Sequence, residues 1–136
     1  MPENLSVKKA LVLMNESDPV LARVCKNKFS KEKGWEASLS TTYDQAVDLI
    51  EAGKIDVVLT EIVLHDSAKN GFDLLQFIRS SDNADIAGMP VIIFTDLSQD
   101  SDRQRATELG ATDYLVKSEV MINEVIDRLQ SIIENN

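Results

Sequence analysis

The feature that most constrains this sequence is a run of β-branched and aliphatic residues in the middle of the chain, followed directly by a carboxylate. Val57–Thr60 (VVLT) forms the run, Glu61 comes next, and a polar segment leads on to Gly71. An unbroken apolar run of this length is typical of a strand buried on both faces, as in parallel sheets. Glu61 is therefore predicted at the carboxyl end of a central strand, where open α/β sheets place their sites.

Four further apolar segments predict strands, and each is followed by a segment in which apolar residues recur at helical spacing. These strands are Lys8–Met14, Trp35–Ser40, Pro90–Thr95 and Asp113–Val116. Alternating strands and helices form βαβ units, and right-handed crossovers leave few ways to wind them. The predicted fold class is α/β, a doubly wound five-stranded parallel sheet with five helices. It forms a single domain over residues 1–136, in which 1–7 are a flexible tail and Asn83–Gly88 (NADIAG) is a loop.

Two of the predicted helices differ in their apolar content. The segment Ser98–Leu109 is polar nearly all round, with Ala106 and Leu109 as its inward candidates. The final helix is strongly amphipathic, and its apolar positions are Ile122, Val125, Ile126, Leu129, Ile132 and Ile133. A helix that is polar all round is either loosely held or kept for a partner.

The charge and cysteine content narrow the classes of function. The chain has 14 basic and 23 acidic residues, a net charge of −9, which disfavours binding to nucleic-acid phosphates. A protein partner is the better expectation. The sequence has neither an apolar run that could span a bilayer nor an apolar signal region at its start, so we expect no membrane partner and a cytoplasmic location. The single cysteine, Cys25, is interpreted as a small buried hydrophobic residue.

Polar residues of complementary chemistry follow several of the predicted strands. They are Glu16, Ser17 and Asp18 after the first strand, Glu61 after the third, Thr95 at the end of the fourth and Lys117 after the fifth. Hard divalent cations prefer carboxylate oxygens, and a phosphoryl group is stabilised by a cation and hydrogen-bond donors. The carboxyl edge of the sheet is therefore the predicted site.

Over essentially its whole length the chain resembles the receiver domains of two-component response regulators, which have a flavodoxin-like fold. The motifs that carry the resemblance are LVLMNESDP, DVVLTEIVL, NGFDLLQFIR, PVIIFT and GATDYLVK. By position, Glu16 and Ser17 fall on the family's acidic pair, Glu61 on the phosphoacceptor, Thr95 on the switch hydroxyl, Tyr114 on the switch aromatic and Lys117 on the lysine that contacts phosphate. The resemblance implies signal transduction through protein contacts rather than an enzyme.

The departures from the family pattern concern the acceptor and its surroundings. Glu61 stands where the family has Asp, and Ser17 replaces a metal-ligating carboxylate that Asp18 could partly supply. Because hard-cation affinity follows carboxylate count, Mg²⁺ binding is expected to be weak and no cofactor to be required. Ser118 replaces the Pro that commonly follows the lysine, so the Lys117–Ser118 peptide is predicted to be trans.

These departures predict a stand-alone pseudo-receiver that does not undergo ordinary phosphorylation. Glu61 could imitate the phosphorylated state by reaching Lys117 and Thr95, or it could be a plain ion-pair partner of Lys117 in a scaffold that no longer switches. The expected partner is a histidine kinase or a downstream signalling or motility protein. The chain is expected to be a monomer or a weak homodimer through a face formed by Ser98–Leu109, Tyr114 and Val120–Ile133.

Other interpretations stay open at this stage. A small α/β enzyme or nucleotide binder could use Glu61 as acid or base, although the sequence has no nucleophile elbow and no Gly-rich phosphate loop. Tyr114 is either an aromatic that reports the state of Thr95 or a half-buried edge tyrosine with its hydroxyl in water. His65 and Asp66 are interpreted as solvated loop residues.

Overall fold

The computed structural model describes residues 8–14, 19–53, 55–64 and 68–134. Within them, five parallel strands form one sheet in the order β2-β1-β3-β4-β5. The strands are β1 (Lys9–Leu13), β2 (Glu36–Ser40), β3 (Val57–Thr60), β4 (Val91–Thr95) and β5 (Asp113–Val116). The α/β class and the five-stranded parallel sheet are confirmed, and the central position of β3 puts Glu61 beside β1 and β4.

The described residues form six α-helices rather than the predicted five. They are α1 (Pro19–Lys28), α2 (Tyr43–Glu51), α3 (Gly71–Arg79), α4 (Ala84–Ala87), α5 (Asp100–Glu108) and α6 (Ile122–Glu134), and α1 continues as a π-helical turn over Phe29–Lys33. The turn stops at Gly34, whose φ of 66° is left-handed and whose N–H donates to the Ser30 carbonyl. None of these helices is long and apolar enough to cross a membrane.

Helix α4 occupies the segment that was predicted to be a loop, so that prediction is wrong. The Asn83 side chain accepts hydrogen bonds from the N–H groups of Asp85 and Ile86, which caps the turn, and Ile86 is buried. Arg79 donates to the carbonyls of Ala87 and Met89 at 3.0 and 2.7 Å, which satisfies the other end of the turn. A single turn held in this way is too short to show a helical period in the sequence.

The core lies in layers on the two faces of the sheet, as a doubly wound fold requires. Val57 and Leu59 of β3 pack with α1 and α6 on one face, and Val58 packs with α2 and α3 on the other. A third cluster surrounds Tyr114 beneath α5; its buried members are Ile62, Phe72, Ile93, Ala106, Tyr114 and Val116. Successive strand residues face opposite layers, which explains why the strands read as continuous apolar runs.

Candidate functional site

Glu61 lies at the carboxyl end of β3, where its backbone is tightly fixed. The Glu61 N–H donates to the Leu13 carbonyl at 2.9 Å, and the Glu61 carbonyl oxygen accepts from the Thr60 hydroxyl at 2.9 Å. The chain returns to this point at Gly71, whose N–H donates to the Ile62 carbonyl. A Cβ on Gly71 would stand 2.2 Å from the Glu61 carbonyl oxygen, so only glycine allows this approach.

The Glu61 carboxylate forms a buried ion pair with Lys117. Glu61 Oε1 is 2.7 Å from Lys117 Nζ, and the two side chains are 5% and 9% exposed. Glu61 Oε2 accepts a hydrogen bond from the N–H of Ile62 at 2.7 Å. The ammonium also lies 5.8 Å from the centre of the Phe94 ring. Both carboxylate oxygens are therefore engaged inside the protein, which is the condition for burying a charge without a large desolvation penalty.

Thr95 ends β4 next to this pair and is fully buried. Its carbonyl accepts from the Lys117 N–H at 2.7 Å, which places Lys117, directly after β5, beside the end of β4. Its hydroxyl oxygen accepts from the Leu97 N–H at 3.3 Å. The structure thus brings the predicted site residues Glu61, Thr95 and Lys117 to one edge of the sheet, but the Thr95 hydroxyl bonds to the following loop.

Tyr114 is a buried residue of β5 that is joined to the same loop. It is 9% exposed, and its hydroxyl donates to the Leu97 carbonyl at 2.8 Å. Burial is the main cause that raises the pKa of Tyr114 to about 12. The negative charge of Asp102 adds to this rise, and the positive charge of Arg103 opposes it. The interpretation of Tyr114 as an edge tyrosine with its hydroxyl in water is therefore wrong, since that hydroxyl bonds to protein.

Arg103 of α5 covers Tyr114, a contact that the sequence did not indicate. Its guanidinium lies 5.1 Å from the centre of the Tyr114 ring and 3.2 Å from Glu119 Oε1. An arginine on a polar helix is usually solvated, and nothing in the spacing distinguishes Arg103 from Arg105 two residues on. Leu97, which connects Thr95 with Tyr114 through its backbone, was also missed because backbone partners leave no trace in side-chain patterns.

Cys25 lies beneath the site in the core, as predicted. It is fully buried, and burial raises the pKa of its thiol to about 12 although the nearby Lys117 charge lowers it. A thiol in this environment stays protonated at neutral pH. The interpretation of Cys25 as a small buried hydrophobic residue is confirmed.

Several predicted residues lie outside the described part of the chain. They are Glu16, Ser17, Asp18, His65 and Asp66, and the tail 1–7 is outside it as well, so these assignments stay predictions. Within 8–14, 19–53, 55–64 and 68–134, no three His, Cys, Asp or Glu residues are grouped to hold a metal. Because Mg²⁺ needs several oxygen ligands and Glu61 Oε1 faces an ammonium, the described donors alone do not fit a Mg²⁺ centre. All described peptide bonds are trans, and the prediction for Lys117–Ser118 is confirmed.

A comparison with protein families identifies the family that has this fold. The family described as "Response regulator receiver domain" matches residues 12–130. The chain belongs to the response regulator receiver domain family, whose members act in two-component signalling.

Curated relatives place the chain among bacterial regulators. The chain is 30% identical over 102 residues to the Transcriptional regulatory protein CusR of Escherichia coli (strain K12), which covers 75% of this chain and 42% of CusR. It is 28% identical over 127 residues to the Gliding motility regulatory protein of Myxococcus xanthus, which covers 91% of this chain and 16% of the relative. The chain therefore spans less than half the length of either relative.

A solved receiver domain matches over nearly the whole chain. The receiver domain of the Francisella response regulator 1452 superposes with a TM-score of 0.79 at 26% identity, covering 94% of this chain and 98% of that one. The receiver fold predicted from the sequence is confirmed.

Proposed function

We propose that this chain is a protein-interaction module of two-component signalling in which the Glu61–Lys117 ion pair takes the place of a phosphorylatable acceptor. The supporting observation is the pair itself, with 2.7 Å between Glu61 Oε1 and Lys117 Nζ and both side chains buried. The second oxygen, Oε2, accepts from the Ile62 N–H. Both oxygens of the carboxylate at the acceptor position are therefore already engaged by protein groups.

Phosphoryl transfer to a carboxylate depends mainly on the position of the attacking oxygen. Misplacing a reacting atom by roughly 1 Å can cost about 10²-fold in rate. Glu61 has one methylene more than the family's Asp, and in this structure its Oε1 lies against the Lys117 ammonium while its Oε2 accepts from the Ile62 N–H. Attack on a phosphoryl donor would require these contacts to break, so we propose that the domain works without phosphorylation.

The same geometry bears on the state in which the domain is held. Glu61 contacts Lys117, but the Thr95 hydroxyl bonds to the Leu97 N–H, and the Leu97 carbonyl accepts from Tyr114. An imitation of the phosphorylated state would have Glu61 engage both Lys117 and Thr95, and only the contact with Lys117 is made. We therefore propose a single fixed state in which Thr95 and Tyr114 are linked through Leu97.

The proposed partners are proteins, and the proposed role is not catalytic. A histidine kinase or a downstream signalling or motility protein is the expected partner, consistent with a relative described as a gliding motility regulatory protein. The excess of acidic residues disfavours direct contact with nucleic acid by this domain. Mg²⁺ is proposed to bind weakly and not to be required. Self-association, where it occurs, would use α5, Tyr114 and α6.

The test is phosphorylation by acetyl phosphate and Mg²⁺, followed by intact mass measurement. The native protein is expected to gain no acid-labile adduct, because both Glu61 oxygens are engaged. Glu61→Asp, which restores the family's acceptor length, is expected to gain one at raised Mg²⁺. Glu61→Gln is the matched control, since it keeps the length and volume of the side chain and removes the nucleophile. A stoichiometric adduct on the native protein that is absent from Glu61→Gln would contradict the proposal.

A further inference from the structure

Asn70 and Gly71 form the one place in the sequence where a glycine follows an asparagine. In such a pair the glycine nitrogen can attack the side-chain amide carbon of asparagine, because glycine has no Cβ to hinder the approach. The new N–Cγ bond closes a succinimide ring and the Cγ–Nδ2 bond breaks. The glycine nitrogen gives up its proton to solvent, and the departing nitrogen takes one up and leaves as ammonia. Water then opens the ring to aspartate or isoaspartate.

The start of α3 accounts for both members of this pair. A Cβ on residue 71 would stand 2.2 Å from the Glu61 carbonyl oxygen and 2.9 Å from the Ile62 Cα, so Gly71 cannot be exchanged for a residue that would hinder the attack. Asn70 is the N-cap of α3, and its side chain accepts from the Asp73 N–H at 3.1 Å. The reactive pair therefore follows from the way in which α3 begins beside Glu61.

The folded geometry keeps the two reacting groups apart. Besides the Asp73 N–H bond to its side chain, Asn70 donates its own N–H to Asp73 Oδ2 at 2.8 Å, which completes a capping box. The Gly71 N–H donates to the Ile62 carbonyl at 2.8 Å. The Asn70 backbone is extended, with ψ at −174°, so its Cβ and the Gly71 nitrogen are staggered, whereas ring closure requires them to be eclipsed. The reaction therefore requires the first turn of α3 to open.

We propose that Asn70 is a covalent modification site, which deamidates through attack by the Gly71 nitrogen when the capping box of α3 opens. Helix ends open at a lower free energy than the whole fold, so the reaction proceeds from a locally opened state of an otherwise folded protein. The capping box sets how often that state occurs. The modification goes beyond the interaction function proposed above and does not depend on it, because the reactivity of Glu61 towards acetyl phosphate has no part in it.

The two products differ in their effect on the neighbouring site. Aspartate keeps the length of the main chain and can still cap α3. Isoaspartate places an extra methylene in the main chain directly before Gly71, which has no room to move towards the Glu61 carbonyl. The hydrogen bond from Gly71 to Ile62 is then lost, and the Ile62 N–H is the group that donates to Glu61 Oε2. Formation of isoaspartate thus alters the surroundings of the Glu61–Lys117 pair.

The experiment follows deamidation at mildly alkaline pH by peptide mass spectrometry, with fragmentation that distinguishes aspartate from isoaspartate. The chain unfolded in guanidinium chloride is expected to react at Asn70 faster than the folded protein, on the order of tenfold or more. Asn83 is the internal control, since it caps α4 in the same way but precedes Ala84, and it should stay unmodified in both states. Asn70→Ser keeps a capping side chain without an amide and should abolish the reaction at this position.

Variants of the capping box test whether α3 controls the reaction. Asp73→Ala leaves Asn70 and Gly71 in place and is expected to accelerate deamidation of the folded protein about fivefold, whereas Asp73→Glu retains a capping box and should react at the native rate. Asp85→Ala, which removes a carboxylate from the first turn of α4, is the matched control and should change nothing.

Amide NMR of the aged protein tests the effect on the site. The isoaspartate form is expected to shift the amides of Ile62 and Gly71, and Asn70→Asp, which mimics the other product, is expected to leave them near their native positions. The proposal is overturned if the folded and unfolded chains react equally fast, if Asp73→Ala reacts at the native rate, or if Asn83 reacts as fast as Asn70. Native amide positions for Ile62 and Gly71 in the isoaspartate form would overturn the effect on the site.

Discussion

Helices α5 and α6 pack on opposite faces of the sheet and are attached to it by different forces. Helix α6 buries Val125, Ile126 and Leu129 in the cluster shared with α1. Helix α5 buries only Ala106. It also contacts the layer beneath through cations over rings, with Arg103 above Tyr114 and Arg105 4.7 Å from the centre of the Phe72 ring. Leu109, at its C-cap, packs there only partly buried.

This difference makes α6 the more firmly held helix, which we call the fixed wall of the domain, and α5 the more weakly held helix, which we call the adjustable wall. Burial of a large apolar side chain stabilises by about 1.5–3 kcal/mol, whereas an exposed cation–π contact contributes about 0.5–1 kcal/mol. Helix α5 is therefore held more weakly than α6. It covers Tyr114, which is joined to Thr95 through the backbone of Leu97. Elements that move in switching proteins come from the weakly held part of a fold.

The largest expected effect comes from weakening the fixed wall. Leu129→Ala removes a fully buried side chain from α6 and is expected to lower the free energy of unfolding by about 2–5 kcal/mol, through lost burial and the cavity that remains. Urea denaturation followed by circular dichroism measures the change. Met121→Ala, at a position 73% exposed, is the control and should change stability by less than about 0.5 kcal/mol. Equal effects of the two substitutions would contradict the assignment of α6 as the fixed wall.

A second, smaller effect is expected at high pH on the adjustable side. The pKa of Tyr114 is raised to about 12 in the folded protein, above its ordinary value of 10.0, so the unfolded chain ionises first. The contribution of Tyr114 to stability is full below pH 10 and falls as the pH rises towards 12. A titration of tyrosinate absorbance should show a late step that Tyr114→Phe removes.

Cys25 requires a separate readout because its raised pKa, also about 12, acts in an overlapping pH range. Thiolate absorbance in Tyr114→Phe reports Cys25 without the late tyrosinate step. A tyrosinate titration of the native protein that is complete near pH 10 would contradict the burial of the Tyr114 hydroxyl against Leu97.

The sequence predicted the elements whose signal is a repeating pattern and missed those held by single contacts. The apolar runs identified the strands, and their ends identified Glu61, Thr95 and Lys117, because parallel strands bring their carboxyl ends to one edge. A contact between Glu61 and Lys117 was part of both alternatives drawn from the sequence, but the hydrogen bond from the Ile62 N–H to Glu61 Oε2 was part of neither. Helix α4 depends on the Asn83 cap and on Arg79 bonds to carbonyls, which no periodicity records.

The smallest expected effect tests whether α5 depends on its cations. Arg103→Ala removes the contact with the Tyr114 ring and the pair with Glu119, and should cost about 0.5–1 kcal/mol of global stability. Its main expected result is local: faster amide hydrogen exchange in residues 97–109, with α6 unchanged. Lys69→Ala is the matched control, since Lys69 lies 5.0 Å from the centre of the Tyr43 ring, away from α5. Exchange that accelerates equally in α5 and α6 would show that the two helices open together, and the distinction between a fixed and an adjustable wall would then fail.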